Sequence, residues 1–431
     1  MKAKPNVAVI ATADWLSVAE STRINLANTW RLLFALVLIA LEFSNLVQFA
    51  TFGSRDLFHT SSAKIHLSSY SLQALGYLMV VVVTVLNPRS MRKLFAQPIF
   101  RWAIAAMAVF TWGMLIRSFN PPVGLPEYDV VRVFLLRLNG VGFMLICVMM
   151  FEGEMVLGAV KRAVALTTLF AIAVNLCQIM HLWIFSTAHL DINRAVGLQD
   201  DPNAAGMAVV FGCVIGLTAV PRRWRELFVL AAAAGVASSF SREAMAALLV
   251  VIAGACLGRA VATPRLLLMI GVTILVIITW NLSTILEDQS VLSDENLARL
   301  SMGISDASAH DHARLAEKAL EQFEKAPLLG NGFGTTAYWG DFESHNLFLS
   351  FMADHGILGV LLIPALLLGL ARRSWDYYAF AGAFVIWCMF NHNLFDNPFG
   401  LITLAIMASQ RACLRSSFAG RNQFPRLAAI A

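Results

Sequence analysis

The sequence predicts an all-α protein, a polytopic bundle of about 12 transmembrane helices with one long outer loop that itself contains helices. Hydrophobic residues make up 58% of the 431 residues and charged residues only 14%, whereas soluble domains are near 25% charged. The roughly 250 apolar residues allow about a dozen crossings, since one span needs about 20. The apolar runs do not alternate with polar residues, which excludes the strands of a β-barrel.

Twelve apolar segments are the candidate spans. They lie at residues 30–50, 68–86, 98–116, 130–150, 163–186, 203–220, 226–240, 243–258, 264–282, 345–370, 375–390 and 397–415. The first segment begins after about 29 residues and is long enough to span. We therefore expect an uncleaved first helix and no signal peptide.

Basic residues set the expected orientation of the spans, because Lys and Arg in short loops are retained on the cytoplasmic side. Of the 32 Lys and Arg residues, 21 lie at one set of alternating ends and nine at the opposite set. Both termini are therefore expected in the cytoplasm. The net charge of +5 is explained by this topology, and no nucleic-acid partner is expected.

One long polar stretch divides the chain into spans one to nine at 1–282, an outer loop at 283–344, and spans ten to twelve with a cytoplasmic tail at 345–431. The loop carries eleven acidic and four basic residues. Within it, residues 311–326 place apolar side chains at helical spacing before Pro327, which predicts an amphipathic helix. Arg314 lies in the first turn of that helix.

A glycine-rich turn, Gly330-Asn-Gly-Phe-Gly334, follows this helix. It neither follows a buried strand nor opens a βαβ unit, so we expect it to fold the loop back onto the membrane surface and not to bind nucleotide. His310 and His312 form an H-x-H pair without a third ligand at suitable spacing, so neither a metal site nor a cofactor is expected. The six cysteines lie in or beside apolar segments and predict neither disulfides nor metal binding.

Four outer residues are candidates for function. An arginine at the hydrocarbon edge is costly unless it has a role, and Arg242 occupies a short outer turn, where its alternative role is a salt bridge with Glu243. Arg132 and Arg137 open the fourth span from the outside, and Arg137 lies about 10 Å in. His345 stands where the loop re-enters the membrane, and its alternative role there is to cap a helix.

These residue types point to a particular chemistry. Guanidinium groups bind phosphate oxygens through two N–H groups and stay charged, which suits a diphosphate on a lipid carrier. A histidine can take a proton from an attacking hydroxyl near neutral pH. The combination predicts transfer of a glycan from a lipid diphosphate to an acceptor hydroxyl.

The chain resembles the O-antigen ligase and polymerase superfamily in residues 190–370. That family has an arginine-bearing helix, a P-x-x-G-x-G-x-G turn, and then H-N-x-x-L and G-I-x-G. These resemble Arg314, Ala326-Pro-Leu-Leu-Gly-Asn-Gly-Phe-Gly334 and Ser344-His-Asn-Leu-Phe-Leu-Ser-Phe-Met-Ala-Asp-His-Gly-Ile-Leu-Gly359. Its P-N-x-x-G and S-R-x-A elements are similar to Gly197-Leu-Gln-Asp-Asp-Pro-Asn-Ala-Ala-Gly206 and Ser241-Arg-Glu-Ala244. The pair Asp354-His355 departs from the pattern, where a small or polar residue follows the acid.

The resemblance implies a bacterial inner-membrane glycosyltransferase that is metal-independent and inverting, takes an undecaprenyl-diphosphate-linked glycan as donor, and works on the periplasmic face. By position, Arg242 and Arg314 would bind the donor diphosphate, and His345 would activate the acceptor hydroxyl. Arg132 and Arg137 are donor-binding candidates on physical grounds alone.

Two acceptor substrates are consistent with the sequence. A ligase would use lipid A-core, whereas a polymerase of O-antigen or exopolysaccharide repeats would use a second carrier-linked glycan. A transporter or flippase of the same lipid is the alternative from another class, and its signs would be short loops, broken helices in matched halves and intramembrane charge pairs. The sequence shows no repeated halves and has a large outer loop, so a transferase is favoured over a transporter or a purely structural membrane protein.

Overall fold

The computed structural model describes residues 7–47, 69–119, 127–180, 182, 194–199, 201–279, 307–336, 344–391, 394–395 and 397–421. Within these ranges the chain is helical and has no β-strand, which confirms the prediction of an all-α protein for this part. The outer loop predicted at 283–344 is described only at 307–336 and 344.

The first half of the chain forms six helices in the described ranges. They are α1 (Val7–Leu38), which continues as a π-helical turn at Ile39–Phe43, α2 (Ser69–Leu86), α3 (Arg89–Phe95), α4 (Pro98–Phe119), α5 (Glu127–Met150) and α6 (Glu154–Ile179).

The second half adds eight helices in the described ranges. They are α7 (Pro202–Gly216), α8 (Arg225–Ala237), which follows a 3-10 turn at Arg222–Trp224, α9 (Arg242–Leu257), α10 (Thr263–Thr279), α11 (Ala307–Lys325), α12 (Leu347–Leu370), α13 (Trp375–Phe390) and α14 (Pro398–Arg421). Each of the twelve predicted apolar segments overlaps one of these helices. The two helices outside those segments are the short α3 and the amphipathic α11.

Among the described residues, five helices are long and apolar enough to cross a membrane. They lie at Glu20–Phe43, Pro98–Phe119, Val130–Met150, Glu154–Ile179 and Leu347–Leu370. A sixth candidate is α2 together with α3, a pair bent by 117°. Helices of this kind indicate a membrane protein.

Three helices in the middle of the chain are short. Helices α7, α8 and α9 have 15, 13 and 16 residues, or about 20–24 Å at 1.5 Å per residue. Every residue of α7 except Asn203 is buried, and the helix packs on α6, α8, α9 and α13. Its Phe211 contacts the rings of Phe380, Trp387 and Phe399. Helix α7 is therefore the centre of the bundle.

Charged residues predicted to be cytoplasmic lie close together at one end of the bundle. Arg31 pairs with Glu152 at 2.5 Å, and Lys93 pairs with the same carboxylate at 2.6 Å. At the start of α13, Arg372 pairs with Asp376. Electrostatic contacts of Lys161 and Cys413 connect the two groups. We call this set the basic end of the bundle.

Helix α12 is broken, although the sequence predicts a single span at 345–370. Gly356 has φ 61° and ψ −143°, which no helix contains. A side chain at Gly359 would run into the carbonyl group of Phe351, so the two pieces of the helix bend sharply toward each other. The break divides α12 into a first piece of nine residues, 347–355, and a second piece of 14 residues, 357–370.

Candidate functional site

The starts of α7 and α9 pack against each other, and both belong to the segments that resemble the superfamily. Asp201 caps α7 by accepting a hydrogen bond from the N–H of Ala204 at 3.0 Å, and Ser241 caps α9 by accepting one from Ala244 at 3.3 Å. A Cβ added at Gly206 would lie 2.6 Å from the Cβ of Ala244. Only glycine permits this approach, so Gly206 brings the D-P-N-x-x-G and S-R-E-A segments together.

Arg194 joins these two helix starts from a third segment. Its guanidinium group donates to the carbonyl oxygen of Ser239 and to the side-chain oxygen of Asn203, both at 3.0 Å. Glu243 interacts electrostatically with Asp201 and Arg194, which makes it part of the same cluster. The sequence predicted Arg194 only as one of the nine outer basic residues. In the structure it is buried, and its hydrogen bonds hold the starts of α7 and α9 together.

Arg242 is the first residue of α9 and is half-buried. It follows a tight turn in which Phe240 has φ 48°, a left-handed conformation that costs a residue with a side chain about 1–3 kcal/mol. The hydrogen bond from Arg194 to the carbonyl oxygen of Ser239, the residue before Phe240, helps to stabilise this turn. The strained turn fixes the direction in which α9, and with it Arg242, begins.

The backbone amides of the glycine turn are hydrogen-bonded to other parts of the protein. The backbone N–H groups of Asn331 and Gly332 donate to the carbonyl oxygens of Ala353 and Asp354, and that of Phe333 donates to Gly113 in α4. Since these donors are occupied, the turn lacks the amide cradle with which a phosphate loop holds its ligand. The turn does fold the loop back, and it does so onto α4 and α12.

Asp354 anchors the turn at the break of α12. Its carboxylate accepts from the N–H of Gly334 at 2.8 Å and from the N–H of Thr336 at 3.2 Å. A Cβ at Gly332, where φ is 106°, would lie 2.9 Å from the backbone of Arg117. Arg117 in turn donates to the carbonyl oxygen of Phe333 at 2.8 Å. The turn, α4 and the break of α12 therefore form one packed unit.

His345 lies two residues before α12, but it does not cap the helix. The side chain of Asn346 does so, because its oxygen accepts from the N–H of Leu349 at 3.1 Å. The alternative role considered for His345 is therefore wrong. Its ring lies instead beside the ring of His312, with 4.7 Å between the centroids and an angle of 56° between the planes.

Arg314 lies on α11, the helix that packs along α12. The amphipathic helix predicted at 311–326 is confirmed, with Leu315 and Ala319 buried. Arg314 is exposed and pairs with Asp311 one turn away at 3.4 Å. An exposed pair of this kind contributes little to stability, so the guanidinium group can exchange Asp311 for a ligand at small cost.

The two arginines of α5 lie in different environments. Arg132 is exposed and lines a cavity of about 430 Å3 between α2 and α5, where the hydroxyl of Tyr77 donates to Asn139 at 3.2 Å. Arg137 is only 8% exposed and lies 5.7 Å above the ring of Phe351. Arg137 is therefore inside the bundle and not at its surface.

His355 was not a candidate in the sequence, although the unusual pair Asp354-His355 marked its position. The side chain is fully buried among Phe110, Phe333 and Phe351, with ring centroids 5.6–6.0 Å away. It also interacts electrostatically with Arg137. In the described part of the chain, neither ring nitrogen has a hydrogen-bond partner.

Arg242 and the glycine turn lie at the same end of the bundle. Helix α9 runs antiparallel to α13, because Gly254 packs on Ala379 and Gly258 packs on Trp375. The last 14 residues of α12 return from the break to the start of α13, next to the basic end. The start of α9 therefore lies at the end opposite the basic end, as does the break of α12 with its glycine turn.

These positions make a basic site with an imidazole possible at the end opposite the basic end. The structure brings together His345, His312 and the helix of Arg314, and it places Arg242 in a second cluster at the same end. Among the described residues, no three His, Cys, Asp or Glu side chains are arranged to hold a metal ion. No protein family, no functionally described protein and no solved structure matches the chain.

Proposed function

We propose that the chain is a membrane glycosyltransferase of the O-antigen ligase type. It moves a glycan from undecaprenyl diphosphate to a hydroxyl group of lipid A-core on the periplasmic face, without a metal or cofactor and with inversion at the anomeric carbon. The placement of His345 carries this proposal. Its ring lies beside that of His312, 4.7 Å away between centroids, and His312 is on α11, the helix that carries Arg314.

The proposed chemistry divides the work between two residue types. Arg242 and Arg314 hold the donor diphosphate and balance the negative charge that grows on it as the bond to the anomeric carbon breaks. His345 accepts the proton of the attacking hydroxyl. Both tasks suit side chains that reach the surface, and His345, Arg242 and Arg314 are half-buried or exposed.

Arg132 is the additional donor contact that fits a lipid substrate. It borders a cavity whose lining surface is mainly apolar, from Ala74, Val131, Leu135 and Leu136, and which also contains the hydrogen-bonded polar group of Tyr77, Asn139 and Gln73. An apolar groove with a cation at one end matches a polyprenyl chain that ends in a diphosphate. The buried Arg137 lies too deep for direct contact and acts on the site only through its charge.

The proposed topology has twelve spans in the bacterial inner membrane, with both termini in the cytoplasm. Two features support it. Each of the twelve apolar segments overlaps a helix in the described ranges. Four basic residues predicted to be cytoplasmic, Arg31, Lys93, Lys161 and Arg372, lie in one group, and the candidate residues lie outside it.

The polymerase and transporter alternatives would each require different structural features. A polymerase needs the same donor site, and only its acceptor differs. A transporter would use broken helices to reach its substrate, but the break at Gly356 is filled by the backbone of Leu328 and of Gly330 in the glycine turn, which lie 2.6 Å and 2.7 Å from the position of an added Cβ. The break therefore serves packing, which favours a transferase.

The test is a transfer assay with the purified protein in liposomes that contain the carrier-linked glycan and lipid A-core, with EDTA present. We expect glycan-bearing lipid A-core as product, and a loss of about 100-fold or more in the variant His345→Ala. The amount of folded protein is measured in parallel by thermal unfolding in detergent.

The products separate the candidate functions. Full activity of His345→Ala would overturn the assignment of the base, and loss of activity in EDTA that a divalent cation restores would overturn metal independence. Longer carrier-linked glycan in place of modified lipid A-core would identify a polymerase. Movement of the donor across the bilayer without any new bond would identify a transporter.

A further inference from the structure

His312 belongs to the buried stripe of α11 and not to its exposed face. Leu315 and Ala319, three and seven residues further along, are 8% and 2% exposed, and residues at these spacings share one side of a helix. His312 is half-buried accordingly, while His310 is exposed. Residues two apart on a helix point in nearly opposite directions, so only His312 of the H-x-H pair faces α12.

This stripe places the ring of His312 against the ring of His345. The centroids are 4.7 Å apart, although 33 residues separate the two histidines in the sequence. We infer that His312 is a positioning residue, the second imidazole of a two-histidine site, which holds the ring of His345 and shares the proton that His345 takes from the acceptor. This inference rests on the proposed transferase function.

The proton balance of the step is simple. The acceptor oxygen forms its bond to the anomeric carbon while the bond from that carbon to the diphosphate oxygen breaks, and the electron pair leaves with the diphosphate. The hydroxyl proton passes to His345, then to His312, and then to water. Two neighbouring imidazoles cannot both be charged cheaply, so the proton is held by one ring at a time and their titrations are coupled.

The acidic groups Asp311 and Asp354 of α11 and α12 have partners other than the two histidine rings. On α11, Asp311 pairs with Arg314, and His310 faces away from α12. The first turn of α12 has no acidic residue, and the carboxylate of Asp354 is engaged by the amides of the glycine turn. The ring of His312 is a titratable group that the structure places directly against His345.

A pH profile separates a shared proton from simple packing. The liposome transfer rate is measured from pH 5 to pH 9 for the wild-type protein, His312→Gln, His312→Phe and the matched control His310→Gln. Because His312 competes for the proton, part of the His345 population stays neutral as the pH falls. We expect both His312 variants to lose about tenfold in rate at neutral pH. On the acidic side of the profile, their activity should fall at a pH about half a unit higher than that of the wild-type protein.

The outcomes are distinct. His310→Gln should keep the wild-type rate and profile. The phenyl ring of His312→Phe keeps the packing but cannot carry a proton, so a wild-type rate and profile in this variant would overturn the inference. A lower rate with an unchanged profile and a lower thermal midpoint would also overturn it, because the role would then be structural. Absence of transfer by the wild-type protein would overturn the proposed function itself.

Discussion

Arginine side chains that look alike in the sequence occupy different environments in the structure. Arg194 and Arg117 are buried and donate to carbonyl oxygens, so they support the backbone. Arg137 is buried over an aromatic ring. Arg132 and Arg314 are exposed. The exposed arginines are free to meet a ligand, whereas the buried ones fix the positions of loops.

The geometry of a guanidinium group, and not its charge alone, should matter at Arg242 and Arg314. Arg242→Lys and Arg314→Lys keep the charge but lose the planar pair of N–H donors. We expect each variant to transfer glycan about 10-fold to 100-fold more slowly at low donor concentration, as lost charge-assisted hydrogen bonds imply. The measurement is the initial rate in liposomes against donor concentration.

Arg162→Lys is the control for this comparison, since Arg162 is an exposed residue of α6 whose side chain donates to the carbonyl oxygen of Gly158. It should keep the wild-type rate. An unaffected rate in both Arg242→Lys and Arg314→Lys would rule out two-point diphosphate binding at these residues.

At the scale of elements, the glycine turn and the broken helix α12 depend on each other. The turn occupies the gap that the break opens, and the N–H of Ile357, just past the break, donates to the carbonyl oxygen of Pro327 at 2.9 Å. An unbroken helix would displace the turn, and without the turn the backbone groups at the break would lose their partners. Neither element is stable in this form alone.

A methyl group at Gly332 should therefore destabilise the whole outer end. Gly332→Ala combines a φ of 106° with a Cβ 2.9 Å from the backbone of Arg117, and we expect a loss of about 2 kcal/mol or more. The measurement is the thermal unfolding midpoint in detergent, which should fall.

Gly158→Ala is the matched control, because Gly158 lies in α6 and an added Cβ meets no atom within 4 Å. It should leave the midpoint unchanged or raise it slightly, since alanine stabilises a helix interior by about 0.5–1 kcal/mol over glycine. Equal midpoints for Gly332→Ala and Gly158→Ala would contradict the close packing described for the turn.

At the scale of the whole molecule, the bundle has a basic end and an opposite end with the candidate site. This polarity predicts which surfaces a reagent outside the cell can reach. Glu317→Cys on α11 and Arg162→Cys on α6 create thiols on opposite sides of the membrane in the proposed topology. Residues 317 and 162 are both exposed.

A membrane-impermeant maleimide should label Glu317→Cys in intact spheroplasts and Arg162→Cys only after the membrane is opened. The wild-type protein serves as the control, because its six cysteines are buried or half-buried and should remain unlabelled in intact spheroplasts. Labelling of Arg162→Cys in intact spheroplasts would contradict the orientation of both termini.

Local patterns in the sequence predicted local structure well. Each of the twelve apolar segments overlaps a helix in the described ranges, and the predicted amphipathic helix 311–326 falls on α11, since hydropathy and periodicity report the surroundings of neighbouring residues. The contacts that build the site are distant in sequence: His312 with His345, Arg194 with Ser239, and the turn with Asp354 and Gly113. No spacing rule predicts such contacts. Only the glycines and the unusual Asp354-His355 pair marked where they occur.

The short central helices also affect the membrane around the protein. Helices α7, α8 and α9 are about 20–24 Å long, whereas α4 with its 22 residues is about 33 Å long. In the proposed topology α8 and α9 cross a hydrocarbon core about 30 Å thick, so the bilayer would thin beside them or their ends would lie below its surface, whereas α7 is enclosed by the bundle. For the proposed donor, this would place Arg242 below headgroup level, so that the diphosphate enters a depression in the surface to reach it. There, fewer water molecules compete for the ionic contact, which strengthens it.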